Sequence, residues 1–219
     1  MANEMQSDFE VIQVCERLYA RNMLAAADGN VSVRLDDRTI LMTPSGVSKA
    51  FMKPGELVRM GLDGSVGEVS RQPSSERLMH LAIYQACSAA RAVVHAHPPV
   101  ATAWSIAHPH LTELPCDAMS ELILAVGRVP IVPYARPGTA QMGEVLASFL
   151  PECRVMILAR HGAIAWGETL EEALFGMERL EHAATILSAA HQLGGVTALP
   201  PVEVEALREI RRQMGPMTR

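Results

Sequence analysis

Apolar residues recur at helical spacing over 9–27, with Val11, Val14, Leu18 and Ala25 on one face. This predicts an amphipathic helix capped by Ser7 or Asp8. It stops before Asp28-Gly29-Asn30, a turn signal. The period then changes. VSVRL and TILMT alternate around Asp36-Asp37-Arg38 and predict a β-hairpin, followed by a second turn at Thr43-Pro44-Ser45-Gly46. A helix is expected over about 75–90, capped by Ser74 or Ser75. RAVVHAH reads as a buried β-branched strand, closed by Pro98-Pro99, which suit the first turn of a helix over VATAWSIA. Beyond it, 121–126 and 138–149 read as helices, VPIVPYA as a short strand broken by proline, and RVMILA and AIAWG as strands. The longest helix is expected over 170–192, ended by Gly194-Gly195, with a charged outer helix over 203–214.

Strands alternate with helices along the whole chain, without internal repeat or low-complexity linker. The pattern predicts one α/β domain over 1–219, with a core over 8–193 and a C-terminal tail over 200–219. The hairpin near residue 35 makes the expected sheet mixed rather than purely parallel.

Composition narrows the function classes. The chain has 219 residues, 49% of them hydrophobic, enough for a sizeable core. Aromatics are only 4%, so Ala, Leu, Val, Ile and Met must fill it, and the 13 Met act as gap fillers. A net charge of -5 argues against nucleic acid and anionic membranes as partners, since both need a basic face. Cys15, Cys87, Cys116 and Cys153 are widely spaced with no C-x-x-C pair, which suggests neither a disulfide framework nor a Cys-type zinc site. The N-terminal residues lack a signal-peptide apolar region, and no stretch has the length of a membrane-spanning helix without charged or polar breaks. A cytoplasmic location is expected.

His95 and His97 stand two apart in the expected strand, so both imidazoles face one side and can reach one ion. His161 also follows a strand, and Gly162 lets the backbone approach closely. Three His leave coordination positions open, the arrangement of a catalytic metal site. The pair read alone also fits two half-exposed side chains bonded to their neighbours. His80, one helical turn after Glu76, competes as a ligand, as do His108, His110, His182 and His191. Glu76 is the candidate acid/base, although a first-turn glutamate serves the helix dipole equally well. Gly29-Asn30, Thr43-Pro44-Ser45-Gly46 and Ser74-Ser75 can each offer N–H groups and hydroxyls to an anion. Lys49 could add a cation near the second turn, but reads rather as a solvated surface lysine. No Walker A or G-x-G-x-x-G fingerprint occurs, so a nucleotide is not indicated.

In order along the chain, G-N-V-S, T-P-S-G, P-S-S-E, H-A-H-P and H-G resemble the class II aldolase/adducin family over roughly 8–190, most of all its L-fuculose-phosphate aldolase branch. The resemblance implies a three-layer α/β/α single domain with a mixed, largely antiparallel central sheet. It implies one Zn²⁺, or another divalent ion such as Mn²⁺ or Co²⁺, per subunit on His95, His97 and His161, with Glu76 beside it as acid/base. Gly29, Asn30, Thr43, Ser45, Gly46, Ser74 and Ser75 would surround the phosphate of a small sugar phosphate. The implied reaction cleaves a ketose 1-phosphate of the fuculose or ribulose type to dihydroxyacetone phosphate and an aldehyde through a metal-stabilised enediolate, in a homotetramer with sites between subunits. A 4-epimerase, a sugar-acid phosphate decarboxylase and a methylthioribulose-phosphate dehydratase share such a scaffold, whereas intact ligands and Glu76 argue against a non-enzymatic adducin-like module. The segment CDAMSELILAVG carries no tyrosine where the aldolases place one for proton transfer.

Overall fold

A computed structural model describes residues 2–67 and 71–215; the outermost residues of the 1–219 span and of its tail lie outside the described residues. The first helix, α1, is Ala2–Ala20. It ends seven residues before the expected position because Asn22 adopts a left-handed φ of 59°. The Asn22 N–H donates to Tyr19 O at 2.9 Å and the Met23 N–H to Leu18 O at 2.9 Å, a Schellman stop with Asn in the glycine position. Asp8 is inside the helix rather than at its cap, and its carboxylate accepts the Gly55 N–H.

Strands β1 (Asn30–Arg34) and β2 (Thr39–Met42) form the expected hairpin. A third strand, β3 (Val58–Gly61), was not anticipated. Helix α2 is Arg77–Ala86, shorter than expected, and β4 is Ala92–Ala96. Helix α3 spans Pro99–Ala107, α4 Ser120–Ala125, and the two-residue strand β5 is Ile131–Val132. Helix α5 (Ala140–Ala147), β6 (Val155–Leu158) and β7 (Gly162–Gly167) follow. The chain closes with α6 (Leu170–Leu193), capped by the Thr169 side chain, and α7 (Pro201–Met214). The tail helix lies outside on α4, with Val204 buried and the Arg211 guanidinium donating to Leu124 O.

The seven strands form one sheet in the order β3-β2-β1-β4-β7-β6-β5. Every pairing is antiparallel except β5–β6, so the sheet is mixed and largely antiparallel. Alternation along the strands divides the core into two layers. Val31, Val94 and Ile157 join Leu18 of α1, Trp104 of α3 and Leu180 of α6 on one face. Ile40, Val93, Met156 and Ile164 join Met79 and Ile83 of α2 and Leu146 of α5 on the other. The result is the three-layer α/β/α arrangement. The same alternation turns Asn30, Ser32 and His95 toward the α2 face, at the middle of the sheet. The four cysteines are buried and free, and among the described residues no helix is long and apolar enough to cross a membrane.

Candidate metal centre and active site

His95 is held in the central strand, opposite Asn30 on β1 and Ile164 on β7. Its Nδ1–H donates to Ala163 O at 2.9 Å, which leaves the lone pair on Nε2. His97 stands just past the strand end, its N–H donating to Met23 O at 2.8 Å. His161 occupies the β6–β7 turn. There Arg160 takes a φ of 60°, and its N–H is caught by the Ser105 hydroxyl at 2.9 Å. The next residue must be glycine: a Cβ on Gly162 would lie 2.5 Å from Ala96 O and 2.7 Å from His97 Cδ2. This close approach of β7 to β4 brings the three rings together, with centroids 5.0, 4.8 and 5.2 Å apart.

One nitrogen from each ring lies within 4.8 Å of the others. His95 Nε2 and His97 Nε2 are 3.2 Å apart. Two imidazole nitrogens bound tetrahedrally to zinc at about 2.05 Å are separated by ~3.3 Å, so the pair has the spacing that one ion requires. Burial, helped by the neighbouring His95 and His161 rings, pushes His97 down to about 4, so its lone pair is available at neutral pH. The His161 Nδ1 is buried without a hydrogen-bond partner. The donor set therefore fits a divalent ion.

Glu76 occupies the cap position of α2 rather than its first turn, and its side chain makes no capping bond. Its carboxylate instead spans the histidines, Oε2 lying 3.2 Å from His95 Nε2 and Oε1 3.1 Å from His161 Nε2. The Oε1 contact lacks hydrogen-bond geometry. Burial pushes this carboxyl up, but the His161 and His95 rings outweigh it and hold the group well below the usual carboxylate range. Behind Glu76, the Asn30 amide donates to Oε2 at 2.9 Å, and His80 Nε2 lies 2.6 Å from Asn30 Oδ1.

These groups open onto a cleft of about 300 Å³ lined by Gly29, Asn30, Ser45, Gly46, Ser74, Ser75, Glu76, His97 and His161 among others. Two of the three expected anion-binding turns are tied to one another: the Ser45 N–H donates to Gln72 O at 2.9 Å and the Ser74 N–H to Thr43 O at 3.2 Å. Ser45 and Ser75 are exposed at the cleft. Thr43 lies elsewhere, fully buried, with its hydroxyl accepting the Val31 N–H at 3.2 Å. Lys49 is the reverse of the surface lysine expected. It is 3% exposed and lines the cleft, and its ammonium donates to Ala27 O at 2.6 Å and Val47 O at 2.8 Å. Burial lowers its pKa, opposed by Asp28 and Glu76 among its neighbours.

The model of the Class II Aldolase and Adducin N-terminal domain matches residues 9–188. The chain belongs to the class II aldolase/adducin family. Among its relatives, a 3-oxo-tetronate 4-phosphate decarboxylase of Pectobacterium atrosepticum is 32% identical, over 85% of this chain and 86% of the relative. A 5-deoxy-D-ribulose 1-phosphate aldolase of Bacillus thuringiensis is also 32% identical, over 90% and 92%. The crystal structure of YgbL from Escherichia coli, described by the alternatives aldolase, epimerase and decarboxylase, superposes with a TM-score of 0.86 at 29% identity, covering 94% of this chain and 99% of that one.

Within this family member, two groups that the sequence singles out take places at the site other than those expected. Lys49 looked like any lysine after a turn, and nothing local marks it as buried. His80 had a signal, its one-turn spacing from Glu76, but the spacing suggested a competing ligand. The structure gives it to Asn30 instead, fully buried. Among the other histidines, His108 and His191 pack against Trp104, with centroids 4.7 and 6.3 Å from the indole.

Proposed function

We propose that this family member is a divalent-metal carbon–carbon lyase acting on a small phosphorylated sugar or sugar acid. The observation that carries the reading is a carboxylate, Glu76, with each oxygen against one ring of a three-histidine cluster, at the wall of a cleft rich in hydroxyl and N–H groups. A divalent ion on His95, His97 and His161, zinc first among candidates, would supply a Lewis acid to the carbonyl and adjacent hydroxyl oxygens of a ketone. Ser45, Gly46, Ser74 and Ser75 would hold the phosphate away from the reacting bond and so orient it. Glu76 would pass a proton, drawn from a substrate hydroxyl in aldol cleavage and from solvent in decarboxylation, to the carbon that gains the electron pair. A cyclic homotetramer in the cytoplasm completes this reading.

Decarboxylation of a phosphorylated 3-oxo sugar acid is the reaction placed first. The Pectobacterium relative supports it, and so does Lys49, whose charge suits a substrate carrying a carboxylate as well as a phosphate. Breaking the C1–C2 bond of 3-oxo-tetronate 4-phosphate releases carbon dioxide, leaves the electron pair on C2, and gives dihydroxyacetone phosphate once C2 gains a proton. The second reading, cleavage of a ketose 1-phosphate, is supported by the Bacillus relative. One experiment separates them. The zinc-loaded chain is incubated with 3-oxo-tetronate 4-phosphate, fuculose 1-phosphate and 5-deoxyribulose 1-phosphate, reading dihydroxyacetone phosphate and carbon dioxide. Both products from the first substrate are expected. Aldehyde release from a ketose phosphate alone moves the assignment to the aldolase, and no product from any of them, with zinc, manganese or cobalt, removes the lyase reading.

A further inference from the structure

A line of polar side chains runs through the core behind Glu76. The Tyr84 hydroxyl lies 2.9 Å from Ser32 Oγ and donates to Ser32 O at 3.0 Å. Ser32 Oγ is 2.7 Å from His80 Nδ1, His80 Nε2 is 2.6 Å from Asn30 Oδ1, and Asn30 Nδ2 is 2.9 Å from Glu76 Oε2. Ser32 and His80 are fully buried and Asn30 is 2% exposed. Unsatisfied polar groups at such depth are costly, so the bonds constrain one another.

Their polarity follows from donor and acceptor capacity. Asn30 Nδ2 is the atom that faces Glu76 Oε2, at 2.9 Å, so the Asn30 oxygen faces His80. That oxygen can only accept, so His80 carries its proton on Nε2. Burial holds His80 neutral, pushed down to about 3, which leaves Nδ1 bare to accept from Ser32. Turning the Asn30 amide over would take away the N–H that Glu76 Oε2 accepts. The Asn30 oxygen is thus committed to His80 and one of its two N–H donors to Glu76.

We propose that Asn30 and His80 are positioning residues for Glu76: Asn30 holds Oε2 and so leaves Oε1 as the oxygen that exchanges protons, and His80 keeps the Asn30 amide in that orientation. Asn30 keeps its second N–H at the wall of the cleft. The proposal rests on Glu76 moving protons in the lyase reading above.

The test uses the zinc-loaded chain with Asn30→Ala, His80→Phe and His80→Gln. Asn30→Ala and His80→Phe lower kcat by about 10- to 100-fold, the usual effect of losing a partner behind a site group. Zinc content stays within about twofold of wild type in every variant, and KM and the inhibition constant of inorganic phosphate do so in the His80 variants. His80→Gln, whose amide N–H reaches the place of Nε2, recovers most of kcat, which a packing role does not predict. The Asn30→Ala/His80→Phe double variant loses no more than Asn30→Ala, because both act through one carboxylate. Should His80→Phe fail to fold, Asn30→Ala and His80→Gln carry the comparison. Independently of turnover, nitrogen NMR shows a neutral ring, absent in His80→Gln, that is protonated on Nε2 across neutral pH. The proposal is overturned if Asn30→Ala weakens phosphate inhibition at unchanged kcat, if His80→Phe matches wild type, or if the His80 proton sits on Nδ1. A wild-type chain inactive on the whole panel sinks the lyase reading instead, and the NMR result still decides the polarity argued here.

Discussion

An alanine at position 162 would place its Cβ 2.5 Å from the Ala96 carbonyl oxygen, 2.7 Å from His97 Cδ2 and 3.3 Å from His95 Cε1. Ordinary contacts lie at about 3.5 Å, so the carbonyl and the His97 ring must each retreat by roughly 1 Å. The carbonyl belongs to Ala96, paired with Ala163 in the β4–β7 ladder, and has no freedom of its own. Overpacking of this kind costs about 1–3 kcal/mol. At roughly 2–4 °C per kcal/mol for a chain of this size, the melting temperature falls by about 2–12 °C while the fold survives. The site suffers more. A shift of ~1 Å is half of a ~2 Å zinc–nitrogen bond and breaks the 3.2 Å spacing between His95 and His97. Misplacement on that scale costs on the order of a hundredfold. Zinc affinity by chelator competition, turnover by product formation and melting by calorimetry measure the three effects separately. Gly67→Ala is the control, because its Cβ would meet nothing within 4 Å. If Gly162→Ala holds zinc within about threefold of wild type and turns over normally, the rings do not depend on the close strand approach, and the account of the centre is wrong.

Three further outcomes are expected. Dialysis against a zinc chelator abolishes turnover and added zinc restores it, whereas His161→Ala stays metal-free by elemental analysis; one zinc per chain in that variant would refute the triad. Lys49→Met strands the Ala27 and Val47 carbonyls, costs about 1–3 kcal/mol in denaturant unfolding, and weakens inhibition by inorganic phosphate on the order of tenfold; an unchanged inhibition constant would leave Lys49 a purely structural cation. His80 is neutral in the fold, depressed from 6.5 to about 3, so its contribution to stability is complete above pH 6.5 and is lost as pH falls toward 3. The denaturation midpoint therefore falls with acid more steeply in wild type than in His80→Phe, and equal slopes would contradict the neutral buried ring.

The sheet was legible wherever one strand carried a strong period. The run RAVVHAH announces β4 because β-branched residues fill a strand buried on both faces, and the alternation of VSVRL marks β1 as the edge of two environments. β3 was not legible: VRMG is four residues with a charge in the middle, and only pairing with β2 makes it a strand. The end of α1 was misplaced because the Asn22 stop signal lay inside an apolar period that continues through Met23 and Leu24, which are buried after the turn. At the site, i,i+2 spacing was enough for His95 and His97, because strand geometry is local. Glu76, Lys49 and His80 were not decidable in this way. What distinguishes a capping glutamate from one aimed at imidazoles, or a surface lysine from a buried one, is the position of segments remote in sequence.

The two reactions considered differ less than their names suggest. Loss of carbon dioxide from a 3-oxo-tetronate 4-phosphate and loss of an aldehyde from a ketose 1-phosphate leave the same three-carbon fragment, dihydroxyacetone phosphate, with the electron pair on the same carbon. The fragment needs a phosphate anchor, an electron sink beside the ketone, and a proton carrier facing the carbon. In this chain those demands map onto three structural levels. The electron sink would rest on β4 and the β6–β7 turn at the rigid centre of the sheet, where the strand register sets ring spacing. The proton carrier would be Glu76 at the head of α2, tied to β1 through Asn30. The anchor would lie in turns joined by two backbone hydrogen bonds. The leaving group alone would be met by groups outside this frame. A family can therefore exchange carbon dioxide for an aldehyde without moving a histidine, and discrimination between the two should reside in cleft residues such as Lys49 rather than in the metal centre.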